Sequence, residues 1–345
     1  MGVKKIIFLI LTMGVFTFSA MALEDPASSW QPEFDPSGAE YTYLLSNVSH
    51  PDIEGVAVGY RIRDRVWEET DGRLYVDFRP LAQLGGERDV LSKVRLGAVH
   101  GMLCSSVAAA NLTDTLGLVN LPFVLNSFDR LEAFLGNEEL FSKFQSAPER
   151  QGVRVLDVTT YGTYGWATRT PVRNLQDARR VNFRIAEAPV NIDVYRAWGL
   201  QFTVMPWPDV HQALQTGVIT GLDHTPTTTN ISRKFDVAKY YTHVPYAQGL
   251  YVHLVNERWL NNLPEDIRAV FLRVVEEESA LAREKGRLQQ EQQIERAREN
   301  GVEFIELSSE DMQSLVDASK PVFERWAPRI GEEYVEQVRQ FLRNK

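Results

Sequence analysis

The sequence predicts an α/β protein of two domains, and three features predict it. Two separate stretches, one from Tyr41 to Leu96 and one from Val153 onward, alternate short apolar strand-like runs with segments of helical spacing. Such alternation favours parallel strands covered by helices. About 320 residues lie beyond an N-terminal leader, enough for two ordinary domains with a sizeable shared core. Third, the segment from Pro264 to Asn300 is mostly charged after Glu276 and contains only Gly286 as a breaker. It reads as one long helix, too polar to form a core, that lies on the surface and bridges.

Taken in order, residues 1–22 begin with Lys4 and Lys5, continue in an apolar run from Ile6 to Phe18 and end in the small-residue site Ala20-Met21-Ala22. This is the pattern of a secretory signal peptide cleaved after Ala22. The run is shorter than the ~20 residues a membrane-spanning helix needs, and no later segment approaches that length. The mature chain is therefore expected in the periplasm and not embedded in a membrane. Asp25 to Gly38, rich in Pro, Ser and Asp, reads as a flexible leader. YTYLLS, Tyr41 to Ser46, is a strand ending at the polar turn Asn47 to Asp52. Helical spacing follows from Val56 to Val66, with Thr70 to Arg73 as the exit turn. LYVDFRP alternates as a second strand, and Glu87 to Leu96 returns to helical spacing.

The second series reads VRVLDVTTYGT and GWATRT as two strands, VNFRI as another, and Ala188 to Trp198 as a helix. DVHQALQTG is a short helix with Asp209 placed to cap its start and Gly217 to stop it. VITGLDH is the next strand, and it carries Asp223 and His224 to its carboxyl end, where open α/β sheets bind ligands.

Composition excludes several functions. The formal charge is −9, and loss of the two signal-peptide lysines takes it to −11, so no basic stripe is available for nucleic acid. A small anion can still bind where local cations override the global field. The lone cysteine, Cys104, sits in the apolar run GMLCSSVAAA and reads as a buried bystander. There is no GxSxG elbow, no HExxH, no phosphate-binding loop and no zinc spacing of cysteines. An enzyme, a cofactor and a resident metal are therefore not expected.

The run VNFRI sets Arg184 among apolar neighbours, and an always-charged guanidinium in such a place wants either one of the chain's own acids or a planar external anion. The surrounding text favours the anion. LQDARRVNFRIAE followed by WGLQFTVMPWPDVHQALQTGVITGLDH resembles the ligand-clamping "LKGLKIRVP" and "EVYxALQTGVVDGQEN" blocks of the substrate-binding subunits of tripartite ATP-independent periplasmic (TRAP) transporters, the DctP-like family. Upstream, DGRLYVDFRPLAQLGGERDVLSKVRLG and NLPFVLNSFDRLEAFL resemble further segments of that family, so the likeness runs in order from about Ser49 to Trp259.

The resemblance implies a two-domain periplasmic binding protein, type II-like, with two mixed sheets flanked by helices and a long helix spanning both domains. Each domain would be discontinuous: 41–160 plus about 250–285, and 161–249 plus about 286–345, after a signal peptide at 1–22 and a leader at 23–40. It implies capture of a small organic carboxylate in the interdomain cleft and delivery to TRAP membrane permease subunits. A sensor or chemoreceptor is the alternative destination, and a periplasmic enzyme acting on a carboxylate, with His224 and Asp223 as an acid–base pair, is the rival from another class.

Residue by residue, the resemblance puts Arg184 on the family's carboxylate-pairing arginine, Trp207 on an aromatic that covers ligand, and His224 on a hydrogen-bonding asparagine whose neighbour Asp223 replaces a glutamate. A histidine there is expected to titrate near neutrality. Tyr164 stands where some relatives carry a second arginine, which favours a monocarboxylate unless Arg169 or Arg88 supplies the missing cation. Trp166, two residues on, would share the face of Tyr164 in a regular strand and join an aromatic wall. Ser105 matches a contact position, and Ser106, Glu87 and His50 are expected nearby.

Overall fold

The structure is a computed structural model that describes residues 30–345, so the expected signal peptide and the start of the leader lie outside the described residues. The described residues form nine strands: β1 Tyr41–Ser46, β2 Leu74–Arg79, β3 Gly101–Ser105, β4 Val153–Thr168, β5 Asn182–Ile185, β6 Gln201–Val204, β7 Gly221–His224, β8 Tyr240–Asn256 and β9 Glu303–Glu306. They make one mixed sheet in the order β2-β1-β3-β8-β4-β7-β5-β6, with β9 added alongside β8.

The two expected sheets are two wings of this single ladder, because β4 and β8 are long enough to hydrogen-bond in both. These strands, of 16 and 17 residues, run antiparallel to each other. The last residues of β8 pair with β3, whose neighbour β1 lies parallel to both β3 and β2. The last residues of β4 pair with β7, and β7, β5 and β6 are mutually parallel in the second wing. Parallel pairing inside each wing is what the βα alternation predicted; the antiparallel centre is added by β4 and β8.

VRVLDVTTYGT and GWATRT are one strand rather than two. Its register against β8 shifts at Val155/Asp157, Thr160/Gly162 and Thr163/Gly165, so the strand bends without breaking. Gly162 makes the middle bend possible: its φ is 111°, and a Cβ would come within 2.3 Å of the Gln290 amide oxygen. That oxygen accepts the Thr163 N–H at 2.6 Å.

Gln290 belongs to the long helix, Glu265–Glu299, which starts after Pro264 and ends at Asn300. It does span both wings, meeting the first helix, Glu54–Glu69, through Glu278 and β4 through Arg283. The expectation that it only bridges is corrected. One face is buried from Ile267 to Ala297, including Phe271, Val274 and Ala282. Its buried charged and amide side chains are tolerated because each has partners: Glu278 pairs with Arg61 and Arg65, Arg283 with Asp157, and Gln293 with Asn230, while the buried Ser279 hydroxyl has none among the described residues.

Two smaller expectations also change. In the described part of the leader no residue is buried, but Phe34 stacks on Trp67 at 4.5 Å between centroids. Asp209 does not cap the helix Val210–Thr216: the preceding 3₁₀ turn, Trp207–Asp209, leaves it with helical φ and ψ of −83° and −14°, and its side chain accepts no cap bond. Gly217 ends that helix at φ 79°, as expected. Cys104 is buried in β3, and burial pushes its thiol pKa well up.

Candidate ligand-binding site

The wings meet at a cleft. Its mouth is a cavity of about 820 Å³ between the helix Glu87–Leu96 on one side and the loop Met205–Pro208 on the other. At its inner end is a space of about 30 Å³ faced by Glu87, Arg184, Trp207, His224, Tyr161 and Tyr164.

Arg184 comes from the second wing, near the carboxyl end of β5. It is 5% exposed, and its Nε donates to the Met205 carbonyl oxygen at 2.9 Å. Among the described residues it forms no ion pair, so its two terminal nitrogens face the pocket without an acidic partner. The internal salt bridge, the ordinary explanation for a buried arginine, is therefore absent. Burial lowers its pKa. The Trp207 ring centroid lies 5.5 Å from the guanidinium carbon, and the His224 ring lies 4.5 Å from that indole.

His224 does not behave as expected. Burial, then the positive charges of Arg184 and Lys234, hold its pKa well below the usual value, so it is neutral through the physiological range. Its Nδ1 accepts the Thr225 backbone N–H at 3.0 Å, which places the imidazole proton on Nε2 and makes that nitrogen a donor.

Glu87 is supplied by the first wing, at the start of its helix. Both carboxylate oxygens are satisfied by Ser105, one by the backbone N–H and one by the hydroxyl, each at 2.7 Å. Burial raises the Glu87 pKa against those bonds and the Arg184 charge. The Ser105 hydroxyl oxygen also accepts the Ala108 N–H at 3.3 Å, capping a short helix.

The structure thus gathers Arg184, Trp207, His224, Tyr164, Glu87 and Ser105 around one pocket. Four other expected residues lie elsewhere. Trp166 is buried behind the pocket, its indole N–H donating to the Tyr195 hydroxyl at 3.0 Å and its ring against Phe183. The register shift between Thr163 and Gly165 breaks the alternation that placed it beside Tyr164. The same irregularity brings in Tyr161, which a period of two had left out; its hydroxyl lies 2.8 Å from that of Tyr164. Asp223 sits behind Tyr164, where one carboxylate oxygen accepts the Tyr246 hydroxyl, and burial pushes its pKa up to about 7. Ser106 turns into the core and donates to Asn120 at 2.8 Å. His50 packs edge-on to Trp30 beside Asp52, while Ser49 faces the pocket instead.

Neither proposed second arginine reaches the inner pocket. Arg169 donates to the Leu214 carbonyl oxygen, and Arg88 pairs with Glu187 at 2.9 Å. The second bond joins one side of the cleft to the other, as does Asn111, whose amide donates to the Glu187 carbonyl oxygen at 3.2 Å.

Comparisons with known proteins agree with this architecture. The profile of bacterial extracellular solute-binding protein, family 7 (DctP) matches residues 46–329. The C4-dicarboxylate-binding periplasmic protein DctP of Rhodobacter capsulatus is 26% identical over 301 residues, covering 86% of this chain and 89% of that protein. A solute-binding protein of Sulfitobacter sp. strain NAS-14.1 is 24% identical, covering 79% of this chain and 82% of its own. Among solved structures, a TRAP periplasmic solute-binding protein from Shewanella oneidensis with bound succinate superposes with a TM-score of 0.83 at 21% identity, over 88% of this chain and 99% of that one. The sugar acid binding protein from Advenella mimigardefordensis in complex with galactonate gives 0.83 at 20% identity, over 88% and 97%. The two-wing sheet, the cleft and the family profile over most of the length lead to one assignment: this chain belongs to the bacterial extracellular solute-binding proteins of family 7, the DctP family.

Proposed function

We propose that this protein captures a small organic carboxylate in its cleft and delivers it to the membrane subunits of a TRAP-type transporter, working in the periplasm after export. The observation that carries this reading is the Arg184 guanidinium, buried yet unpaired, with its terminal nitrogens aimed at the pocket. A guanidinium in that state has lost its water without gaining an anion, and a planar carboxylate supplies two matched acceptors. The succinate and galactonate carried by solved relatives support the ligand class. A single carboxylate remains the favoured anchor, since Tyr164 is uncharged and Arg88 and Arg169 are engaged elsewhere.

The small inner space implies motion. The Arg88–Glu187 ion pair and the Asn111–Glu187 bond tie the two walls together over this space, so entry of an organic acid is expected to part the wings. Ligand then stabilises the closed arrangement by contacts that exist only when Glu87 and Arg184 face each other across it. A thermal-shift screen of mono- and dicarboxylates and sugar acids on the mature protein, followed by calorimetry, tests the reading. One acid should bind stoichiometrically and be recovered unchanged. Recovery of a chemically altered acid would replace the binding protein with an enzyme, and absence of any acid ligand would remove the carboxylate assignment.

A further inference from the structure

Lys234 has entered the site so far only through its charge on His224, yet its surroundings are unusual. It opens the 3₁₀ turn Lys234–Asp236, entered through Arg233, whose φ of 59° is in the left-handed region. The residue is 7% exposed, although a lysine normally extends its ammonium into water. The ammonium lies 4.2 Å from the centroid of the Trp207 ring, on the same indole that Arg184 approaches at 5.5 Å. Its one hydrogen bond is a long one, 3.4 Å to the Ser232 carbonyl oxygen.

Among the described residues no carboxylate pairs with it. Asp236, on the same turn, pairs with Arg233 at 3.0 Å. The helix Pro226–Ile231, which packs against the turn, carries no charged side chain. From β5 and β7 the charged and titratable groups facing Lys234 are Arg184 and His224, one positive and one neutral. Two buried cations thus share one aromatic ring, and they repel. Holding them together is unfavourable unless an anion arrives, and the pocket that Trp207 lines is where one would sit. An ammonium with three donors and one weak acceptor is held mainly by the face of the indole.

We propose that Lys234 is a positioning residue of the ligand site: its ammonium pins the Trp207 indole beside the Arg184 guanidinium, and carboxylate affinity depends on that ammonium being charged. The inference rests on the carboxylate reading for its second half but not for its first. Lys234 does not line the inner pocket, so it acts through Trp207 and through its field rather than by touching the acid.

Burial, then the Arg184 charge, brings the Lys234 pKa down to about 8. The ammonium of the unliganded protein is therefore lost as pH rises through that value. An anion that favours the charged form raises the pKa again, so binding takes up a proton in this window. Asp223 titrates lower, at about 7, and is retained in every variant below.

The pinning is tested without ligand. Intrinsic tryptophan emission of the full mature chain should change with a midpoint near pH 8, and the change should vanish in both Lys234→Met and Trp207→Phe. Emission that stays flat between pH 7 and 9.5 overturns the proposal whatever the protein binds. Calorimetry with succinate and with galactonate tests the second half. Wild-type affinity should fall above pH 8 with proton uptake, Lys234→Met should bind roughly tenfold more weakly at pH 7 with no further fall, and Lys234→Arg should hold its affinity to pH 9.5. A Lys234→Met protein that binds as tightly as wild type overturns the second half alone. If neither acid binds wild type while the emission change is present, the choice of carboxylate fails and the pinning stands.

Discussion

The two walls of the pocket are built on opposite principles. On the first wing, Glu87 has every carboxylate oxygen satisfied by Ser105 from its own wing. On the second, Arg184 and Lys234 are buried and, among the described residues, neither forms an ion pair with an acid. A wall that satisfies itself contributes to the stability of its own wing; a wall left with uncompensated cations is held at a cost that only an incoming anion relieves. Stability and function are therefore expected to separate by wing.

Arg184→Ala should break this comparison most visibly. Truncating one partner of a buried charge pair costs about 2–5 kcal/mol, so carboxylate affinity should fall at least ~30-fold by calorimetry. The unliganded melting temperature should stay level or rise, because an unpaired buried charge has been removed. A variant that melts lower and still binds would show that Arg184 is structural. Ser105→Ala should do the reverse, costing about 1–2 kcal/mol in denaturant unfolding through loss of a helix cap and a bond to a buried carboxylate. Unchanged stability in that variant would mean that the first wall is not self-supporting.

Asp223 sharpens the comparison by pH. Its folded pKa, about 7, lies above that of an unfolded aspartate, so the stability it brings is complete below about pH 4 and is lost as pH rises toward 7. The melting temperature of Asp223→Asn relative to wild type should therefore climb between pH 4 and pH 8. Asp157, pushed up to about 6, titrates in both proteins and cancels in the difference. A difference that does not vary with pH would show that Asp223 keeps its ordinary titration.

The smallest effect is expected at the rim. Glu187→Ala removes the exposed bridge to Arg88 and should speed ligand release by no more than about fivefold at low salt, with the effect gone at 1 M salt. A larger change would make the rim, rather than the inner walls, the main lock of the closed cleft.

Local chemistry determined a good deal of this molecule. The helix Glu87–Leu96 and the strand Tyr41–Ser46 fall on their predicted residues because periodicity and an end signal coincide there. Arg184, Trp207, His224, Tyr164, Glu87 and Ser105 were legible because each sits in a segment that can be matched to the family by its local text, in the same order along the chain. What the tertiary structure alone decided has a common cause in long-range pairing. Two wings become one sheet only when β4 meets β8, and neither strand reveals its partner locally. Bulges in β4 decide that Tyr161 enters the pocket and Trp166 leaves it, which no fixed period of two can express. Lys234, ten residues beyond the motif's end, reaches Trp207 only through the turn after the helix Pro226–Ile231. Burial, a property of the whole packed chain, then decides which of these groups carry charge.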